Sequence, residues 1–121
     1  MKILVVDDSK LSRRILIKGF PASVKEESEI IQGANGLEGV NLYKEHHPKI
    51  VFLDLTMPVM DGFEALEKII EYDKNAIVVV VTADIQVKAR EKVIALGAMS
   101  MEHKPITSDR LNVILKSLNW A

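Results

Sequence analysis

Three uninterrupted apolar runs constrain the fold most. Ile3-Leu4-Val5-Val6 stops at Asp7-Asp8, Ile50-Val51-Phe52-Leu53 stops at Asp54, and Ile77-Val78-Val79-Val80-Val81 stops at Thr82. Runs this long without polar alternation suit strands buried on both faces, as in a parallel sheet. Glu29-Ile30-Ile31-Gln32 and Met99-Ser100-Met101-Glu102-His103 carry more polar residues, which suits strands nearer a sheet edge.

Helix patterns fill the gaps between these runs. Leu111, Ile114, Leu115 and Leu118 repeat at i, i+3, i+4, i+7. Phe63, Leu66, Ile69 and Ile70 form a second stripe, and Ile85, Ala89, Val93 and Leu96 a third, with Gly97 where a helix C-terminal cap belongs. Asn35 is an N-cap candidate for a segment ending before Pro48, and Ser9 to Phe20 reads as a first helix stopped by Pro21. The result is strand–helix repeated five times: a parallel sheet with right-handed crossovers and helices on both faces. Function in such sheets gathers at the carboxyl ends of the strands.

A chain of 121 residues is one domain, and we expect residues 1–121 to form it. Sixteen Lys and Arg against seventeen Asp and Glu argue against a nucleic-acid surface. The absence of Cys excludes disulfides and thiolate chemistry. No apolar run reaches the roughly 20 residues of a membrane span, and residues 3–6 are too short for a secretion signal. We therefore expect a cytoplasmic protein with no membrane or nucleic-acid partner.

A parallel sheet would project Asp7, Asp8, Asp54, Thr82 and Lys104 from one edge into a shallow cleft. Clustered carboxylates repel unless a cation intervenes, and an oxygen-only site with few protein ligands favours Mg²⁺. Mg²⁺ beside a carboxylate, a hydroxyl and an ammonium is equipment for phosphoryl transfer, and a carboxylate can itself accept the group.

Ile3-Leu4-Val5-Val6-Asp7-Asp8-Ser9, Phe52-Leu53-Asp54-Leu55-Thr56-Met57-Pro58-Val59-Met60-Asp61-Gly62, Val81-Thr82-Ala83 and Lys104-Pro105 resemble the signatures of two-component response-regulator receiver domains, over essentially the whole chain. The resemblance implies a flavodoxin-like, doubly wound, five-stranded sheet. It implies Asp54 as phosphoacceptor, with Mg²⁺ held directly by Asp8, Asp54 and the main-chain carbonyl of Thr56, and by Asp7 through water. It implies that Thr82 and Lys104 engage the phosphoryl oxygens and that the bond before Pro105 is cis. A histidine kinase or phosphotransfer protein would supply the phosphoryl group, and an effector protein would read it. Catalysis would be limited to the chain's own phosphorylation and slow dephosphorylation, so it is not expected to be an enzyme. Ser12-Arg13-Arg14-Ile15 is similar to the chemotaxis branch.

Plainer readings stand beside these. Asp7 and Asp8 also fit helix-terminal acids, Asp54 a turn residue, Thr82 an N-cap and Lys104 a solvated lysine. His46 and His47 suit a helix C-terminus rather than a metal, the five Met residues suit packing, and Trp120 suits a cap on the last helix. The chain departs from the family at Met101, where Tyr or Phe is usual, and at Glu102, which is usually apolar. Aromatic gating is therefore not expected, and Glu102 requires an edge strand or a local partner. Thr56 and Asp84 flank the reacting group and should tune phosphoryl lifetime; Ala83 adjoins Thr82. Three other functions compete: a phosphate sink or relay intermediate, a small Mg²⁺-dependent phosphatase using Asp54-Leu55-Thr56, and a nucleotide-binding module, which would need a Gly-rich loop not present here.

Overall fold

The computed structural model describes residues 1–83 and 85–119. Five strands, β1 (Lys2–Val6), β2 (Glu29–Gly33), β3 (Ile50–Leu53), β4 (Val78–Thr82) and β5 (Ser100–His103), form one all-parallel sheet in the order β2-β1-β3-β4-β5. This is the flavodoxin-like arrangement. The apolar runs occupy its centre: every residue of β3 is at most 1% exposed, and β1 after Lys2 and all of β4 are buried as well. The two polar runs are the edge strands, as their composition predicts.

The helices are α1 (Lys10–Lys18), α2 (Ala22–Glu27), α3 (Gly36–His46), α4 (Gly62–Tyr72), α5 (Val87–Ala95) and α6 (Ser108–Ser117). Alternate strand residues feed two cores. Ile3, Val5, Phe52, Val79 and Val81 meet Leu16, Phe20, Val24, Leu111, Ile114 and Leu115 from α1, α2, α6 and the turn between the first two. Leu4, Val6, Val51, Leu53, Val78, Val80 and Met101 meet Val40, Tyr43, Leu66, Ile69 and Val93 from α3, α4 and α5. Each such side chain contributes roughly 1.5–3 kcal/mol by leaving water.

The caps follow the sequence. Ser9 Oγ accepts from Ser12 N, Asn35 Oδ1 from Glu38 N and Asp61 Oδ1 from Glu64 N. Gly97, with φ +110°, closes α5: its N–H donates to the Ile94 carbonyl and that of Ala98 to the Val93 carbonyl.

Four expectations need correction. The first crossover holds an extra helix, α2, whose buried anchor is the single apolar residue Val24, too little to show a period. Ile85 lies before α5 and is 51% exposed, so the buried stripe begins at Ala89. Thr82 ends β4 and does not cap α5, whose N-cap is Gln86. Met57 and Met101 are buried and Met60 packs on the core, but Met1 and Met99 are largely exposed. Trp120 lies outside the described residues. No helix among the described residues is long and apolar enough to cross a membrane.

Candidate functional site

Strand order reverses beside β1, because β2 lies on one side of it and β3 on the other. The crevice at their carboxyl ends receives Asp7, Asp8 and Asp54, whose oxygens lie within 4.8 Å of one another. No other group of three or more acidic or imidazole side chains gathers this way among the described residues, so His46 and His47 form no such site. His47 instead caps α3, and its Nε2 lies 2.9 Å from the Tyr72 hydroxyl.

Asp7 and Asp54 are each 6% exposed, whereas Asp8 is open to solvent. Two buried carboxylates this close require positive charge, and Lys104 supplies it. Its Nζ lies 2.6 Å from Asp7 Oδ2 and 3.4 Å from Asp54 Oδ2. Lys104 follows β5 directly, its N–H donates to the Thr82 carbonyl at 2.9 Å, and the peptide bond to Pro105 is cis. The N–H groups of Ser9 and Leu55 donate to Asp7 Oδ1 and Asp54 Oδ1, each at 2.9 Å.

Burial raises the Asp54 carboxyl above the ordinary aspartate range; Lys104 opposes this and the Asp7 charge adds to it. Burial also works against the Lys104 charge, but the two carboxylates outweigh it and hold the ammonium above its ordinary range. The lysine is therefore a fixed cation, and Asp54 is the carboxylate it neutralises less closely.

Asp54, Thr56, Thr82, Ala83, Gln86 and Lys104 line one open cleft. Thr82 is 1% exposed at its floor, and Thr56 lies at its exposed rim. Asp84 lies outside the described residues. An apolar cavity of about 280 Å³ adjoins the site between α1 and the loop after β5, lined by Ile15, Leu16, Phe52 and Ile106 among others. The loop after Asp54 is held by close backbone packing. Gly62 donates its N–H to the Leu55 carbonyl, and a Cβ there would strike the Asp54 carbonyl and stand 2.6 Å from Leu55 Cα.

Met101 is 2% exposed and packs in the α3–α5 core, opposite Val80. Glu102 meets both conditions set by its charge, since β5 is an edge strand and Arg110 pairs with it. Sequence reasoning missed Gln86 in the cleft wall, for which position after a strand end was the available signal. Arg13 figures there only within the segment similar to the chemotaxis branch, and the donation from its Nη1 to the Asp7 carbonyl at 2.6 Å was not foreseen.

The oxygen donors fit a small hard cation: three carboxylates converge, two are buried, and one ammonium leaves their charge incompletely offset.

The pattern of the response regulator receiver domain family matches residues 3–116. The chain belongs to this family. It is 39% identical over 120 residues to the chemotaxis protein CheY of Bacillus subtilis, covering 98% of each chain. It is 33% identical over 115 residues to the sporulation initiation phosphotransferase F of the same organism, covering 95% of this chain and 90% of that protein. Among solved structures, the CheX-CheY-BeF3-Mg+2 complex from Borrelia burgdorferi contains a chain that superposes with a TM-score of 0.88 at 32% identity, covering 100% of this chain and 90% of that one. As a receiver domain homologous to response regulators, the protein has a phosphoacceptor signalling role in two-component systems.

Proposed function

We propose that residues 1–121 act as one receiver unit in which Asp54 accepts a phosphoryl group from a phosphohistidine. The observation that carries this is the gathering of Asp7, Asp8 and Asp54 within 4.8 Å around the Lys104 ammonium. A carboxylate oxygen of Asp54 attacks phosphorus, the phosphorus–nitrogen bond breaks, and its electron pair leaves on the imidazole nitrogen, which takes up a proton. Lys104 offsets charge on the phosphoryl oxygens, and Thr82 donates its hydroxyl to one of them. Asp7, Asp8, Asp54 and the Thr56 carbonyl would hold Mg²⁺, which when bound neutralises charge on the transferring group. Thr56 and Asp84 tune the lifetime of the acyl phosphate, and Met101 replaces an aromatic gate with a flexible apolar side chain.

The donor is a histidine kinase or phosphotransfer protein, and the output is altered affinity for a cytoplasmic effector protein. Similarity to CheY supports an effector of the chemotaxis kind. Similarity to a sporulation phosphotransferase supports a relay role as the second reading. The protein acts on its own phosphoryl group and turns over no separate substrate. Mass spectrometry after incubation with acetyl phosphate and Mg²⁺ tests the proposal. One added phosphoryl group is expected, lost on Asp54→Ala and on chelation; labelling that survives Asp54→Ala overturns it. Capture of an effector only by the phosphorylated protein separates the chemotaxis kind of output from the relay.

A further inference from the structure

Glu102 is charged and only 9% exposed, in a strand where Met101 beside it belongs to the core. It stands opposite Val81, one residue before the pair Thr82 and His103. Arg110 occupies both of its oxygens, with Nε 2.8 Å from Oε1 and Nη2 3.1 Å from Oε2. Arg110 lies in the first turn of α6, where its own N–H is capped by Thr107 Oγ1 at 3.1 Å. The forked pair therefore ties the last strand to the start of the last helix and encloses the segment that carries Lys104 and Pro105. Burial opposes an ionised Glu102, but the Arg110 hydrogen bonds, the Ser100 hydroxyl and the charges of Arg110 and Arg90 together prevail and keep its carboxyl below the ordinary range. A guanidinium fork on a carboxylate fixes direction as well as distance, which an apolar residue at 102 would not do.

We propose that Glu102 and Arg110 form a clamp that positions Lys104 for phosphoryl transfer. The proposal rests on the reading of Asp54 as phosphoacceptor. Lys104 sits between two carboxylates, 2.6 Å from one and 3.4 Å from the other, so a small displacement of its loop changes which of them it meets. Glu102 and Arg110 are positioning residues that act through Lys104.

The test compares Arg110→Lys and Glu102→Gln with the parent chain for three properties: phosphoryl uptake from acetyl phosphate, Mg²⁺ affinity, and the ¹⁵N resonance of the Lys104 ammonium. Arg110→Lys keeps the charge but loses the fork, so it separates geometry from charge. We expect uptake to fall about five- to tenfold, the size of a coupling within one ion-pair network. Mg²⁺ affinity should not fall, because Lys104 competes with the cation for Asp7 and Asp54, and the Lys104 resonance should move. Uptake and Mg²⁺ affinity falling together would make the pair general support for the fold and overturn the clamp. Unchanged uptake, or an unmoved Lys104 resonance, overturns it as well. The resonance is measured without a phosphodonor, so a parent chain that takes up no phosphoryl group defeats the reading of Asp54 while the positioning claim is still decided.

Discussion

Replacing Asp54 with Asn should stabilise the protein at neutral pH with divalent ions chelated. Asp7 and Asp54 oxygens within 4.8 Å repel by at least about 3.5 kcal/mol at an effective dielectric constant near 20. Lys104 at 3.4 Å attracts Asp54 by about 4.9 kcal/mol on the same scale. The attraction exceeds the repulsion by at most about 1.4 kcal/mol, less than the several kcal/mol needed to desolvate a buried carboxylate, so desolvation decides the sign, which agrees with a carboxyl raised mainly by burial. Asn keeps the acceptor for the Leu55 N–H and leaves Lys104 with Asp7. The expected gain is about 1–2 kcal/mol, or about 4–8 °C in thermal midpoint. The folded carboxyl holds its proton to higher pH than an unfolded aspartate, so the folded state binds more protons in that window and stability falls as pH rises through it. The advantage of Asp54→Asn should therefore shrink as pH is lowered towards about 3.9. Added Mg²⁺ should favour the parent, by about 1.4 kcal/mol at ten times the dissociation constant. Circular-dichroism melts across pH, with chelator and with Mg²⁺, measure all three effects. A destabilised Asn variant, or a gain independent of pH, refutes the account of the site as an incompletely neutralised buried acid pair.

Substitutions at three further positions probe the surroundings. Gly62→Ala would force a Cβ onto the Asp54 carbonyl, and we expect a loss of 3 kcal/mol or roughly more by urea unfolding, with weakened Mg²⁺ binding because the acceptor loop must move. Val59 is β-branched and 77% exposed at φ +70°, so Val59→Asn should relieve strain and raise stability by about 1 kcal/mol, whereas Val59→Ala, which keeps a Cβ without a side-chain amide, should gain less. Tyr43 donates to Asp73 Oδ2 at 2.8 Å and holds that carboxyl below its ordinary range. Tyr43→Phe should move the Asp73 titration upward by NMR and lower the thermal midpoint by roughly 2–5 °C at neutral pH; the Asp73 share of that stability is lost as pH falls through its folded titration range.

Much of this architecture is legible in the chain because burial on both faces allows few polar residues. The central strands β1, β3 and β4 are the apolar runs, and the edge strands are the runs that keep Gln32, Ser100 and Glu102. The site is legible for a related reason: a parallel sheet sends every strand end to one edge, so Asp7, Asp54 and Lys104 meet although they are distant in sequence. What escapes sequence reading depends on single side chains. Helix α2 is six residues docked by Val24, too short to show a period. Arg110 meets Glu102 eight positions earlier across a turn, a separation that no helix or strand repeat marks.

On the proposal that Asp54 accepts the phosphoryl group, the resting arrangement lets one lysine serve two states. Lys104 lies closer to Asp7 than to Asp54, so its charge offsets Asp7 more fully. Asp54 is left with one oxygen fixed by the Leu55 N–H and the other in weaker reach of the ammonium. A phosphoryl group on Asp54 would add negative charge on that side and compete with Asp7 for the lysine. Because Lys104 follows β5 and precedes a helix held by the Glu102–Arg110 fork, its displacement would load β5 and α6 together. On that proposal this strand–loop–helix unit, with the flexible, apolar Met101 buried in its strand, would carry events at Asp54 to the edge of the sheet.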